Sequence, residues 1–359
     1  MRYRSVAGSG HICAHQDGRH DNSRSLAELD APRREGWQSN EAESHFATQR
    51  EVADNPDDEA KMGFFNMARR VAQELNKVTK VMDISRQRVR QTTPVEDAPA
   101  ILDLCMAPGG FSTIAVEANP TAGLSALTLS PEPGGHAVTL RPEDYSNDVV
   151  IEPADVTLLA AERAQLVVAV ARVRRGGTLV VLLHHLETWN TCQVMYVLNQ
   201  FSRVRLFKPR AAHATRSSFY LVAEDVESES PKAKAAVQRW KALWRRLTLD
   251  RESVEIGTGG DVDDADGMNM ISGENVDDVL GKFGRRRLHL SLHIWQAHAR
   301  ALRKAPWNKR AAGDGERGGA AAGGRERLSS REELGIRKTN VFTGMYWPRS
   351  QDDRWPTCC

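Results

Sequence analysis

Aromatic residues are scarce in this chain, at 6% of 359 residues, and the hydrophobic share is a modest 40%. Long apolar runs are missing. Stretches such as Thr178 to Leu183 are far too short to cross a bilayer. Cysteine is sparse and badly spaced for pairing. Five residues, Cys13, Cys105, Cys192, Cys358 and Cys359, give an odd number and wide intervals. That argues against a disulfide framework and against a C-x-x-C zinc site. Reduced thiols of an intracellular protein, cytoplasmic or nuclear, are the expectation. The opening MRYRSVAGSGHICAHQDG is basic but lacks the apolar stretch of a secretion signal. No heptad, no Gly-X-Y period and no internal repeat is present. Neither charge dominates: 49 basic and 47 acidic residues leave a formal net charge of +2. No membrane partner is expected.

The charge is informative only when divided along the chain. Residues 1–60 carry seven basic and twelve acidic residues, few apolar ones and no sustained period. Such a segment buries too little to offset its ordering entropy, so a disordered acidic tail is expected. Residues 61–229 balance eighteen bases against eighteen acids and hold most apolar runs, so the folded domain is placed there. Residues 230–359 form a helical and low-complexity basic extension. Within it, Asp250 to Asp278 has ten acids and one Arg, while Gly281 to Cys359 has seventeen bases and seven acids. The stretch GDGERGGAAAGGRER reads as a linker.

The middle segment alternates element types. Phe64, Met67, Ala68, Val71 and Leu75 recur at helical spacing over Phe64 to Val78. Ala100 to Met106 reads as a buried strand, followed by a Pro-Gly-Gly turn and a helix over Phe111 to Ala118. Strands are expected over Gly123 to Ser130, within Asp148 to Thr157, and over Thr178 to His184, with helices at Leu158 to Val173 and Cys192 to Phe201. Val204 to Phe207 and Phe219 to Ala223 are closing strands. The loop of about eleven residues joining them has no helix, which suggests an antiparallel pair at a sheet edge. The alternation predicts an α/β fold, doubly wound and Rossmann-like, with a mostly parallel sheet and an antiparallel last strand.

The most telling stretch is Leu102 to Ser112, LDLCMAPGGFS. A strand enters, two glycines turn the chain, and a helix leaves. Open α/β sheets bind nucleotides at such strand ends, beside a helix N-terminus. The spacing is not G-x-G-x-x-G and no G-x-x-x-x-G-K-[ST] is present, which disfavours a nicotinamide site and an NTPase phosphate loop.

Asp103-Leu104-Cys105-Met106-Ala107-Pro108-Gly109-Gly110-Phe111-Ser112 resembles the first motif of the FtsJ-like S-adenosylmethionine-dependent RNA ribose 2′-O-methyltransferases. Arg175-Gly176-Gly177-Thr178-Leu179-Val180-Val181 is similar to a later strand of that family. Lys208-Pro209 with Arg216-Ser217-Ser218-Phe219-Tyr220-Leu221-Val222-Ala223 is similar to its closing hairpin. The resemblance covers roughly 61–225. It implies S-adenosyl-L-methionine as cofactor, RNA as partner, and Asp103, Ala107, Pro108, Gly109, Gly110 and Phe111 along the methionine and ribose side of that cofactor. It further implies Asp155 near the adenine, although Asp155 also reads as a helix N-cap.

The chain departs from the family's Lys-Asp-Lys-Glu set, in which a lysine takes the ribose hydroxyl proton. Asn66, Leu182 and Ser218 align with the first Lys, the second Lys and the Glu. The Asp finds no counterpart. Asp155 to Glu162 runs directly into Arg163, so the family's fourth strand is missing, or Asp148 to Glu152 is that strand and the third is short. Either the chain is catalytically inactive or it lacks a segment near Glu162. The readings left open are a methyltransferase, and an inactive relative that binds RNA or a protein partner. His184, His185 and Glu187 follow a strand end, and His185 is the candidate general base; a solvated strand exit is the plainer alternative.

Three further signals stand outside the resemblance. Val237, Trp240, Trp244 and Leu247 share one face of a basic helix over Ala233 to Leu247, which either contacts RNA or docks its tryptophans on the core. The Arg285-Arg286-Arg287 cluster fits RNA binding, nuclear entry or a solvated tail. His11-x-Cys13-x-His15 lacks the second cluster a metal site needs, and Cys358-Cys359 does not satisfy C-a-a-X; no metal is expected.

Overall fold

The computed structural model describes residues 20–84, 99–129, 136–141, 143, 149–154, 162–210, 212–248 and 270–309. Strands β1 (Ala100–Leu104), β2 (Gly123–Leu129) and β3 (Val149–Ala154) form a parallel sheet in that order. Strands β4 (Gly177–Leu183), β5 (Arg203–Phe207) and β6 (Phe219–Val226) form a second sheet in the order β4-β6-β5. β6 runs antiparallel to both neighbours. The fold is therefore α/β, with one parallel and one antiparallel three-stranded sheet. The expected antiparallel closing pair is present, but β6 lies at the centre of its sheet and β5 at its edge.

Helix α3 (Asp58–Thr79) is the clearest sequence-encoded helix. Asp57 caps it, its carboxylate accepting from Ala60 N at 2.7 Å, and Asp58 and Glu59 complement the helix dipole in the first turn. Lys80, in the left-handed region at φ 58°, ends it by donating to Asn76 O. Its stripe of Met67, Val71 and Leu75 packs with Ile114 of α4 (Gly110–Ala118) on one face of the second sheet, against Leu182, Phe207, Tyr220 and Val222. The opposite face carries Leu179, Val181, Leu183, Leu221 and Ala223, in the period-2 alternation of strands. Helices α5 (Glu162–Arg172), α6 (Trp189–Asn199), α7 (Pro231–Thr248) and α8 (Val276–Arg303) contribute to that larger core.

Residues 20–54, expected to be disordered, form two helices, α1 (His20–Trp37) and α2 (Asn40–Asp54). Neither has enough apolar surface to fold alone. Their order comes from partners distant in sequence: α1 lies along α8 and buries Leu29 completely, while Ala42 and Phe46 of α2 pack on Trp307. Residues 1–19 of that tail lie outside the described residues.

The basic helix docks. Trp240 of α7 is 1% exposed, and its indole N–H donates to Ile271 O at 3.1 Å. Two members of the arginine cluster are likewise used for packing. Arg287 is buried in α8 and donates to Leu186 O at 2.8 Å, and Arg286 reaches Val204 O at 3.3 Å. Among the described residues no helix is long and apolar enough to cross a membrane, and no group of three potential metal ligands occurs.

Candidate functional site

The turn after β1 is built by backbone geometry. Cys105 (φ 106°) and Gly109 (φ 100°) take positive φ, and the Ala107–Pro108 bond is cis. The amides of Cys105 and Met106 both donate to Leu127 O at 3.0 Å, which holds the turn to β2. Thr139 N donates to Pro108 O at 3.0 Å from the other side. Gly109 precedes α4 without a side-chain cap, so first-turn N–H groups of that helix are left for another acceptor.

Each glycine answers a specific steric demand. A Cβ on Gly109 would stand 2.9 Å from the Leu140 Cβ, in a conformation L residues avoid. A Cβ on Gly110 would stand 2.7 Å from the Ala68 Cβ and 2.8 Å from Arg69 N, and would strike Phe65 O. Gly110 therefore lets α4 begin directly against the backbone of α3. That packing carries Phe111 onto Tyr220, with ring centroids 5.4 Å apart and stacked.

Asp103 and Cys105 complete the turn. The Ser112 hydroxyl donates to Asp103 Oδ2 at 2.5 Å. Burial raises the Asp103 pKa above the usual carboxyl value, and the Ser112 hydrogen bond works against that rise. Burial and the neighbouring Asp103 charge push the Cys105 thiol up to about 12, despite a hydrogen bond from Gln165 at 3.3 Å. Cys105 is thus a thiol at neutral pH and a poor nucleophile.

A cavity of about 1300 Å³ opens beside this turn. Asp103, Ala107, Pro108, Gly110 and Phe111 line it, together with residues of β4 and α5. Gly109 and His185 are not among its lining residues. Asp155 lies outside the described residues. The structure so brings five of the expected site residues to one cavity and sets His185 apart from them.

His185 stands at the exit of β4 with φ 48° and a half-exposed side chain. Its Nδ1 is 3.6 Å from Glu187 Oε1, and its Nε2 is 3.5 Å from the Ser217 hydroxyl. Burial alone would raise the Glu187 carboxyl. Contact with His185 and the ion pair with Arg33 at 2.7 Å instead hold it well below its ordinary value. Behind it lies a cationic cluster that sequence reasoning missed. Lys208 Nζ donates to the carbonyls of His213 (2.9 Å), Ser218 (2.7 Å) and Arg216. Burial, with Arg33 and Arg216 nearby, lowers Lys208 to about 7, while its three acceptors are met in full only by an ammonium. Burial, aided by cationic neighbours, also lowers His184 to about 4 and both His213 and His298 to about 3. Lys208, Arg216 and His184 were each singled out in the sequence, but not as one cluster, because its members come from separate parts of the chain.

No family model and no curated protein matches the chain.

The residues aligned with the Lys-Asp-Lys-Glu set sit as follows. Asn66 is exposed on α3, Leu182 is buried on β4 facing Tyr220 across the ladder, and Ser218 is buried just before β6. None of them titrates.

Proposed function

We propose that the β1–α4 turn binds S-adenosylmethionine and that the chain is an FtsJ-like methyltransferase domain, Rossmann-like and doubly wound, acting on an RNA ribose 2′-hydroxyl. One observation carries this reading: Asp103, Ala107, Pro108, Gly110 and Phe111, the residues of the resemblance, converge on one cavity beside an uncapped helix N-terminus. The residues present fit the group. The first-turn N–H groups of α4 suit the carboxylate of an amino acid. Pro108 and Phe111 give an apolar wall, and Asp103 offers an acceptor for hydroxyl or ammonium hydrogens. S-adenosylmethionine, when bound, supplies an electrophilic methyl group. The chain's own part is to bind, to orient and to accept a proton. His185, with Glu187 beside Nδ1, is the candidate to take the proton at Nε2, although it does not line the cavity.

A second reading is favoured by a specific observation. Leu182 and Ser218 are buried, non-titrating residues where the resemblance calls for acid–base groups. On that reading the domain binds RNA or a protein partner without transferring a methyl group.

Calorimetry with S-adenosylmethionine tests both. Saturable one-site binding is expected, and its absence overturns both. Labelled-methyl transfer to RNA then separates them. Where transfer occurs, His185→Ala is expected to lower it about 10²–10⁴-fold; unchanged transfer removes His185 from the reaction.

A further inference from the structure

Helix α8 carries charge of one sign along one face. From Val279 to Lys309 the chain has eight Lys and Arg and no Asp or Glu, in a protein where 47 of 359 residues are acidic. Past the acidic first turn of the helix, every exposed position is a Lys, an Arg, a His, Gly281 or Gln296. At 3.6 residues per turn, Lys282, Arg285, Arg286, Arg300, Arg303 and Lys304 fall within about 60° of one line along the helix. His289, His293 and Gln296 lie between them on the same face. The stripe is about 33 Å long.

A solvated helix offsets such charges with acids one turn away, whereas like charges at that spacing destabilise it. Over most of this stripe the offset is missing. Lys282 meets Glu274 at 2.6 Å, and Arg303 lies 3.9 Å from Glu28. Among the described residues Arg285, Arg286, Arg300 and Lys304 form no ion pair. Arg203 and Arg205 of the adjoining β5, by contrast, are matched by Glu224 and Asp225. The fold neutralises the cations of β5 and leaves those of α8 to an outside partner. What else the face holds narrows that partner. The apolar side of α8, with Phe283, Leu290, Ile294 and Trp295, is buried, so no apolar face remains to enter a lipid surface. No Phe, Tyr or Trp is exposed on the stripe, and single strands are held largely by stacking on such rings. A duplex hides its bases and sets its phosphates outermost, where cations alone hold it.

We propose that this face of α8 is a docking surface for double-helical nucleic acid, held through its phosphates and without regard to base sequence. Of the Arg285-Arg286-Arg287 cluster, only the first two residues take part, because Arg287 is buried. The surface lies outside residues 61–225, and duplex binding there requires nothing of the β1–α4 turn.

The test is fluorescence anisotropy on the full chain, with labelled RNA and DNA duplexes of roughly 20 base pairs, longer than the stripe, each in two unrelated sequences. Dissociation constants of about 1–100 μM at physiological salt are expected, alike for both sequences. Four unpaired cations predict that log K falls with log salt at a slope of about −3 to −4. Arg285→Gln, Arg300→Gln and Lys304→Gln combined should weaken binding at least about tenfold and flatten the slope by about 2–3, at an unchanged urea midpoint. The tighter of the two duplexes identifies the source of the phosphates. No binding to either duplex overturns the proposal, and so does binding that the triple variant retains. Tighter binding to single strands, or a preference above about tenfold for one sequence, also overturns it. Anionic vesicles and polyglutamate are run alongside. Variant-sensitive binding to either that exceeds binding to the duplexes assigns the face to a membrane or an acidic protein instead. The triple variant is expected to bind S-adenosylmethionine as the parent does, so failure of duplex binding and failure of the cofactor reading are told apart.

Discussion

Gly110 shows how a residue that reads as a ligand contact in sequence can be fixed by packing. The space where its Cβ would go is filled by the backbone of α3, not by the cavity. Gly110→Ala should therefore destabilise the fold by about 1–3 kcal/mol through overpacking, read as a lower urea midpoint at unchanged slope. The Gly-Gly pair itself was legible, because glycine takes a positive φ without strain, as at 109, and leaves room for a helix start pressed on a neighbour, as at 110. The part played by Leu140, which presses on Gly109, was not legible, because it comes from a segment with no strong period of its own. Asp103 and Phe111 were legible as site residues by resemblance, and both line the cavity. Lys208 was noticed only for its proline neighbour; that three carbonyls converge on it follows from the path of the β5–β6 connection.

Among the elements, β1, β2, β4, α3 and α4 were legible because period and punctuation agree. Helices α1 and α2 were not: they are polar along most of their length, and Pro32 lies inside α1. Helix α8 was not separated from the basic tail. Its buried stripe runs Val279, Phe283, Arg287, Leu290, Ile294, His298 and Leu302, and the two polar members blur an otherwise helical spacing. Those members are held by Leu186 O and Thr215 O, contacts invisible to local reading. Helix α7 was legible as amphipathic, and its docking follows from Trp240. Trp240→Ala should cost about 3–5 kcal/mol in chemical denaturation, whereas Trp240→Phe should cost about 1 kcal/mol for the bond to Ile271 plus a smaller packing loss.

At the scale of the whole molecule, the cationic cluster joins the amino-terminal helices, the β4 exit, the β5–β6 connection and α8. Its histidines make the fold sensitive to acid. His213 is buried, with neither ring nitrogen bonded among the described residues, and titrates at about 3 instead of 6.5. Above pH 6.5 both folded and unfolded forms keep it neutral. As pH falls from 6.5 toward 3 the unfolded chain takes the proton first, so stability declines across that window. At pH 5 this one imidazole accounts for about 2 kcal/mol. His213→Asn tolerates the left-handed backbone and does not titrate. The loss of stability between pH 7 and pH 5, measured by denaturation, should therefore shrink by about 2 kcal/mol in that variant; an unchanged loss would show that the imidazole is solvated. The division into two three-stranded sheets was not legible: the alternation of elements predicted one mostly parallel sheet, and which strands pair is set by contacts distant in sequence.

The contact between the first and last described helices has a consequence for how the polypeptide is made. Arg303 donates to Glu28 O, Asn308 donates to Pro32 O, and Leu29 is sealed by residues some 270 positions downstream. A nascent chain leaving the ribosome must hold its leading helices without their partner until nearly three hundred further residues have emerged. Closure of this contact therefore comes late in synthesis, and the interval before it is when the leading segment is most open to proteases and chaperones.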